Sequence, residues 1–223
     1  MNASRLADVR AKAEKGDAQS QFELGAVFFF GNLGSAKDYV EAVKWFRKAA
    51  EQSLALAQFN LGNCCRIGQG VAKDDVEAVK WYRKAAQQSH AQAQSNLGLC
   101  YANGQGVDKD EAEAVKWYRN AAEGGEVNAF NALAWILATS EDSAIRDGAN
   151  AMVFAEKAVA ATNRKTPAEL DTLAAAYAEA GQFKKAVSTE KEAIALLQTE
   201  AEQNDYRTRL KLFEVRLSYR AKD

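Results

Sequence analysis

One eleven-residue phrase occurs three times in this chain. Val40-Glu-Ala-Val-Lys-Trp-Phe-Arg-Lys-Ala-Ala50 returns as Val76-Glu-Ala-Val-Lys-Trp-Tyr-Arg-Lys-Ala-Ala86, and again as Ala112-Glu-Ala-Val-Lys-Trp-Tyr-Arg-Asn-Ala-Ala122. Trp45, Trp81 and Trp117 mark it at intervals of 36 residues. A fixed period in this range is the signature of stacked repeats. It predicts a core that extends repeat by repeat, with long surfaces rather than a deep chemical pocket.

The repeats read as helix pairs. Proline occurs once, at Pro167, and strong helix formers dominate the rest. The first helix of each repeat carries Leu24-Gly25, Leu61-Gly62 or Leu97-Gly98. Phe28, Cys65 and Tyr101 follow one turn later on the same face. The glycine costs up to about 1 kcal/mol inside a helix, so a close helix–helix approach is its expected use. Loops follow at Gly68-Gln-Gly-Val71 and Gly104-Gln-Gly-Val107, with a looser Gly31-Asn-Leu-Gly34. Asp38, Asp74 and Asp110 are placed to cap the second helices.

Each second helix bears alanines seven apart: Ala42/Ala49, Ala78/Ala85 and Ala114/Ala121. Ala151/Ala158 and Ala186/Ala193 repeat the spacing without the phrase, after Leu133-Ala134 and Leu173-Ala174. Five helix pairs are therefore expected. The Leu-to-Ala spacing is 17 residues in repeats two and three but 13 in repeat five, where a tight Gly181-Gln182 replaces the glycine loop.

Repeats one to three resemble Sel1-like repeats, on Leu-Gly, Gly-Gln-Gly-Val, the capping Asp and Ala-Val-Lys-Trp-Tyr-Arg-Lys-Ala-Ala. Leu173-Ala-Ala-Ala-Tyr177 with Gly181, Ala186 and Ala193 resembles a tetratricopeptide repeat. The resemblance implies an all-α, right-handed solenoid with a concave groove. The expected organisation is a capping helix at 1–17, three Sel1-like repeats at 18–124, a divergent pair at 125–163, a tetratricopeptide-like pair at 164–203 and a capping helix at 204–223. A secreted branch of the family bridges successive helix pairs through cysteines eight apart. The matching positions here are Ala50/Gln58, Ala86/Gln94 and Ala122/Phe130, so those disulfides cannot form.

The ends are expected to seal the stack. Leu6, Val9 and Ala13 face inward on the first helix, and Thr166-Pro-Ala-Glu169 reads as a capping-box start. Tyr206, Leu210, Phe213 and Leu217 share one face of a terminal helix. Arg207, Lys211, Arg216, Arg220 and Lys222 share the other, as a solubilising cap or as a basic patch for an acidic partner or anionic lipid.

Little in the sequence suggests chemistry. A net charge of -1 and a pI near 6.0 argue against nucleic acid as a partner. No apolar run approaches the roughly 18 residues of a membrane span. Residues 1–15 lack the apolar core of a leader, so the expected compartment is the cytoplasm, with periplasm or secretion the alternative if a leader has been removed. Cys64, Cys65 and Cys100 read as small core positions. His90 stands alone in a turn and builds neither a triad nor a metal site. The Gly-Gln-Gly loops lack the Lys-Ser/Thr of a phosphate loop. Asp108-Lys-Asp110-Glu-Ala-Glu113 lacks the glycine of a calcium loop. No enzyme, cofactor or metal is expected. The Trp-aromatic pairs read as packing between repeats, with a stacking ladder for bases or sugars as the alternative.

The resemblance carries groove positions onto the first helices. These are Gln19, Phe22, Phe59, Asn63, Arg66, Gln92, Ser95, Asn103, Asn128, Asn131 and Trp135. Amides can bond a peptide backbone in both senses. Phe22, Phe59 and Trp135 can anchor apolar side chains, and Arg66 can take a carboxylate. The expected function is a non-catalytic interaction module that binds a protein or peptide along the groove. The alternative is a scaffold or homo-oligomer built through the convex face or the ends, motivated by the Phe28–Phe30 run and the terminal helix.

Overall fold

Twelve α-helices and no strand make up the described residues, 2–221, of the computed structural model. The chain is an all-α solenoid of helix pairs, as expected. It divides into two units, Met1–Asp110 and Glu111–Asp223. The first holds α1 (Asn2–Glu14), α2 (Ala18–Phe30), α3 (Tyr39–Glu51), α4 (Ala55–Ile67), α5 (Asp75–Ala86) and α6 (Ala91–Asn103). The second holds α7 (Glu111–Glu123), α8 (Val127–Thr139), α9 (Gly148–Ala161), α10 (Pro167–Glu179), α11 (Phe183–Ala195) and α12 (Glu200–Glu214). Within them α2 pairs with α3, α4 with α5, α8 with α9 and α10 with α11.

In repeats one and two the Leu-Gly dipeptide and the aromatic after the Trp prove to be two halves of one contact. A β-carbon on Gly25 would lie 2.6 Å from the Phe46 ring, and one on Gly62 would lie 2.7 Å from the Tyr82 ring. The missing side chain on the first helix makes room for the ring from the second. Gly68 ends α4 in the left-handed region, at φ 73°, which a residue without a β-carbon adopts freely. Gly70, also left-handed, lies against the backbone carbonyl of Tyr39, so the Gly-Gln-Gly loop of one repeat rests on the previous one. Asp38 and Asp74 cap α3 and α5, each accepting a backbone N–H at 2.9 Å.

The repeated phrase builds its own outer edge. The indole N–H groups of Trp45, Trp81 and Trp117 donate to Glu41, Glu77 and Glu113, at 3.0, 2.8 and 3.1 Å. Lys48 and Lys84 lie over the Trp45 and Trp81 rings, at 4.2 and 4.1 Å from the centroids. Trp45 and Trp81 are buried as expected; Trp117 is half-buried.

Buried glutamines join successive helix pairs. Buried Gln58 donates to the Ala50 carbonyl at 3.1 Å, and buried Gln94 to the Ala86 carbonyl at 3.1 Å. Gln21 does the same to Ala13 at 3.2 Å. Gln52 and Gln88 in turn donate to Gln21 and Gln58. A side-chain hydrogen bond thus ties the end of one helix pair to the start of the next.

At the N-terminal end, Val9 and Ala13 are buried with Leu24 and Trp45, and Leu6 and Phe28 pack against them. The Phe28–Phe30 run is therefore not an exposed patch. Phe29 lies among Phe30, Tyr39 and Phe46, and only Phe30, 59% exposed, faces solvent.

The C-terminal end departs from expectation. Helix α12 stops at Glu214, and Leu217 is exposed on a non-helical tail. The buried residues of α12 are Phe213 and a cation, Arg209, held by Asp171 at 2.6 Å. Arg220 leaves the basic face to pair with Glu179; Lys222 lies outside the described residues. Thr166 makes no side-chain cap bond, and a capping box forms instead at Thr199 and Glu202.

Candidate functional site

Phe59, Asn63 and Arg66 fall on successive turns of one face of α4 and remain half-buried. Beneath them lies Tyr82 of α5, fully buried. Its hydroxyl donates to Asn63 Oδ1 at 2.7 Å and accepts from Arg66 Nε at 3.2 Å. Asn96 Nδ2, on α6, donates to the same Asn63 oxygen at 3.1 Å. Burial pushes the Tyr82 hydroxyl above its ordinary range, with the contacts to Arg66 and Asn96 opposing, so it keeps the proton it donates. Both acceptor positions of Asn63 are then filled. What Asn63 presents is its NH2 group, beside the Arg66 guanidinium. This part of α4 is a donor surface, suited to carbonyl or carboxylate oxygens.

Apolar rings flank it. Phe22 stacks on Phe46 with centroids 5.6 Å apart. Phe59 packs against Tyr82 and stacks on His90 at 4.9 Å. His90 is more than a surface turn residue: half-buried, it caps α6, its Nδ1 accepting the Ala93 N–H at 3.3 Å. A cavity of about 500 Å³ opens beside Phe22, lined by Arg5, Val9, Glu23, Ala26 and Leu33 among others.

The remaining expected positions divide. Gln19, Gln92 and Asn103 are exposed. Ser95 is buried, and its neighbour Asn96 takes the place beside Asn63. Asn128, exposed, bonds Glu126 at the start of α8. Asn131 and Trp135 share one face of α8, but that face is not open. Trp135 meets the Tyr219 ring at 5.8 Å and the Arg209 guanidinium at 5.7 Å. Sequence alone places Tyr82 as a packing aromatic and does not single out Asn96. The recurrence of an aromatic after each Trp was the one signal pointing to Tyr82.

The chemical inventory stays spare. The three cysteines are buried, and burial pushes the Cys64 and Cys100 thiols up to about 11, so neither is a thiolate at neutral pH. Among the described residues, no cluster of His, Cys, Asp or Glu is placed to hold a metal, and no helix is long and apolar enough to cross a membrane.

The family model for the Sel1 repeat matches residues 18–54, 55–90 and 91–126. Among solved structures, a Sel1 repeat protein from Oxalobacter formigenes is 33% identical, with a TM-score of 0.67 over 85% of this chain and 77% of that one. The protein c5321, described as a protective antigen present in uropathogenic Escherichia coli strains and displaying an SLR fold, is 32% identical. It covers 96% of this chain with a TM-score of 0.71, and this chain spans 45% of its length. A putative Sel1 repeat protein from Klebsiella pneumoniae, 19% identical over 94% of this chain and 99% of that one, shares the fold at a TM-score of 0.51. No curated protein matches the chain.

Proposed function

The chain belongs to the Sel1 repeat family, and on that premise we propose that it is a non-catalytic module that binds an extended protein segment along the first-helix face of α2, α4 and α6. Sel1 repeats serve in general as protein-interaction modules, and the fold is typically non-catalytic. The observation that carries the binding face is the saturation of Asn63 Oδ1 by Tyr82 and Asn96. It leaves a fixed donor pair, held by a buried hydroxyl rather than by solvent. Preorganised donors lower the ordering cost of binding. Asn63 and Arg66 receive backbone carbonyls or a carboxylate of the partner, and Phe22 and Phe59 seat its apolar side chains. The Phe28–Phe30 run that favours a scaffold reading is largely packed within the chain, and of the basic terminal residues Arg220 is engaged by Glu179.

The test is selection of peptides from a random display library on the whole chain. Titration against Asn63→Ala and Arg66→Ala then follows. Each substitution should weaken the selected peptides about tenfold, the loss of one charged or well-placed hydrogen bond, with helical content unchanged. Peptides that bind both variants as tightly as the native chain would refute the assignment.

A further inference from the structure

The C-terminal unit carries a groove that already holds a ligand, and the ligand is its own tail. After α12 the chain turns at Arg216, a non-glycine residue at φ 59°, and runs back without helix across the ends of α10 and α8. Ser218 Oγ donates to the Ala178 carbonyl at 3.2 Å. The Tyr219 ring lies on Trp135, with centroids 5.8 Å apart. Arg220 Nη1 pairs with Glu179 Oε2 at 2.8 Å. The Ala221 N–H donates to the Thr139 carbonyl at 3.0 Å. Ala178 and Thr139 lie in the last turns of their helices, where the negative end of the dipole favours nearby cations; the Ala178 carbonyl also accepts the Gly181 N–H.

We propose that the Trp135–Thr139–Glu179 face is a receptor site for an extended aromatic–basic protein segment, occupied in cis by Ser218–Ala221, and that a partner with a Tyr-Arg step docks by displacing this tail. The proposal does not rest on the donor face of α4.

Three observations support it. The receptor side is held in place without the tail. Glu179 is also paired with Arg146 at 3.2 Å, and Trp135 with Arg209, itself fixed by Asp171. The stretch leading into the docked segment, by contrast, is lightly held. Val215 and Leu217 are 66% and 55% exposed, and the turn at Arg216 is one that side chains with a β-carbon disfavour. The receptor side also keeps an unmet acceptor. Asn131, one turn before Trp135 on the same face, has a buried Oδ1 without a hydrogen-bond partner. Tethering gives the tail an effective concentration on the order of millimolar, so a free segment competes at a disadvantage until the tail is removed.

The probe is a fluorescent peptide of residues 215–221, Val-Arg-Leu-Ser-Tyr-Arg-Ala, followed by anisotropy. It should bind a chain truncated after Arg216 about tenfold or more tightly than it binds the full chain. A full-length Tyr219→Ala/Arg220→Ala variant should show the same gain, which keeps the test valid if truncation impairs folding. A peptide with Glu in place of its second Arg should lose about tenfold on either variant. A folded variant that binds the peptide no better than the native chain would overturn the proposal. So would a native dimer, seen by light scattering, that dissociates on truncation, because the tail would then belong to a second copy.

Discussion

The ring of Tyr82 occupies the space that a β-carbon on Gly62 would fill, 2.7 Å from its Cδ1. Gly25 and Phe46 stand in the same relation, at 2.6 Å. The rings that hold the helix pairs together are also those under the candidate binding face. Scaffold and site therefore share Phe46, under Phe22, and Tyr82, under Asn63.

Gly62→Ala should destabilise the chain. Overpacking a close contact costs about 1–3 kcal/mol. The gain in helix propensity offsets about 1 kcal/mol of that. The Tyr82 ring is fully buried and meets the new methyl with its edge, so the clash wins. The urea midpoint should fall with the slope unchanged. An unmoved or raised midpoint would show that the ring can step aside.

Gln58→Ala should cost about 1–2 kcal/mol, because it removes a buried hydrogen bond and strands part of its partner. The side chain bridges the Ala50 carbonyl and Gln88. Gln88→Ala, at an exposed position, should cost clearly less. Urea melts of the two variants side by side provide the comparison. Equal losses would mean that the stitch between helix pairs is not what Gln58 contributes.

Stability should fall as pH rises, through Glu190. Burial first, then the Asp171 carboxylate, push Glu190 up to about 9 from an ordinary 4.5, against the pull of Arg209. Arg209 Nε stands 3.9 Å away, too far for a hydrogen bond, and Asp171 is the neighbour with which Glu190 shares a proton. A proton rather than a cation therefore neutralises Glu190. A raised folded pKa means that the native state holds a proton the unfolded state releases. The contribution is complete below about pH 4.5 and is lost as pH climbs through about 9. Glu190→Gln should match the native chain near ~pH 5 and exceed its thermal stability near ~pH 8. A native chain no less stable than the variant at the higher pH would contradict this.

The periodic features of this chain were legible because repetition reports them three times over. The Trp phrase, the Leu-Gly pairs and the Asp caps at Asp38 and Asp74 all recur in phase, and each marks a local rule of helix packing or helix ends. The donor character of Asn63 was not legible. It arises from Tyr82, nineteen residues away, and Asn96, thirty-three away, and no local pattern joins them. The course of the C-terminus was hidden for a similar reason. Tyr206, Leu210, Phe213 and Leu217 keep helical spacing, but the pairing of Arg220 with Glu179 and the seat of Tyr219 on Trp135 pull the chain off the helix. Arg209 is buried only because Asp171 waits for it, thirty-eight residues earlier.

The most direct test of the binding face is to watch the Asn63 side-chain amide itself. In a nitrogen–proton correlation spectrum of the whole chain, a saturating selected peptide should shift the Asn63 Nδ2 resonances and the Arg66 Nε resonance. Signals from the Trp45 and Trp81 indoles, on α3 and α5, should stay in place. Shifts gathered on those indoles, with the Asn63 amide unmoved, would place the partner on the second helices and contradict the account.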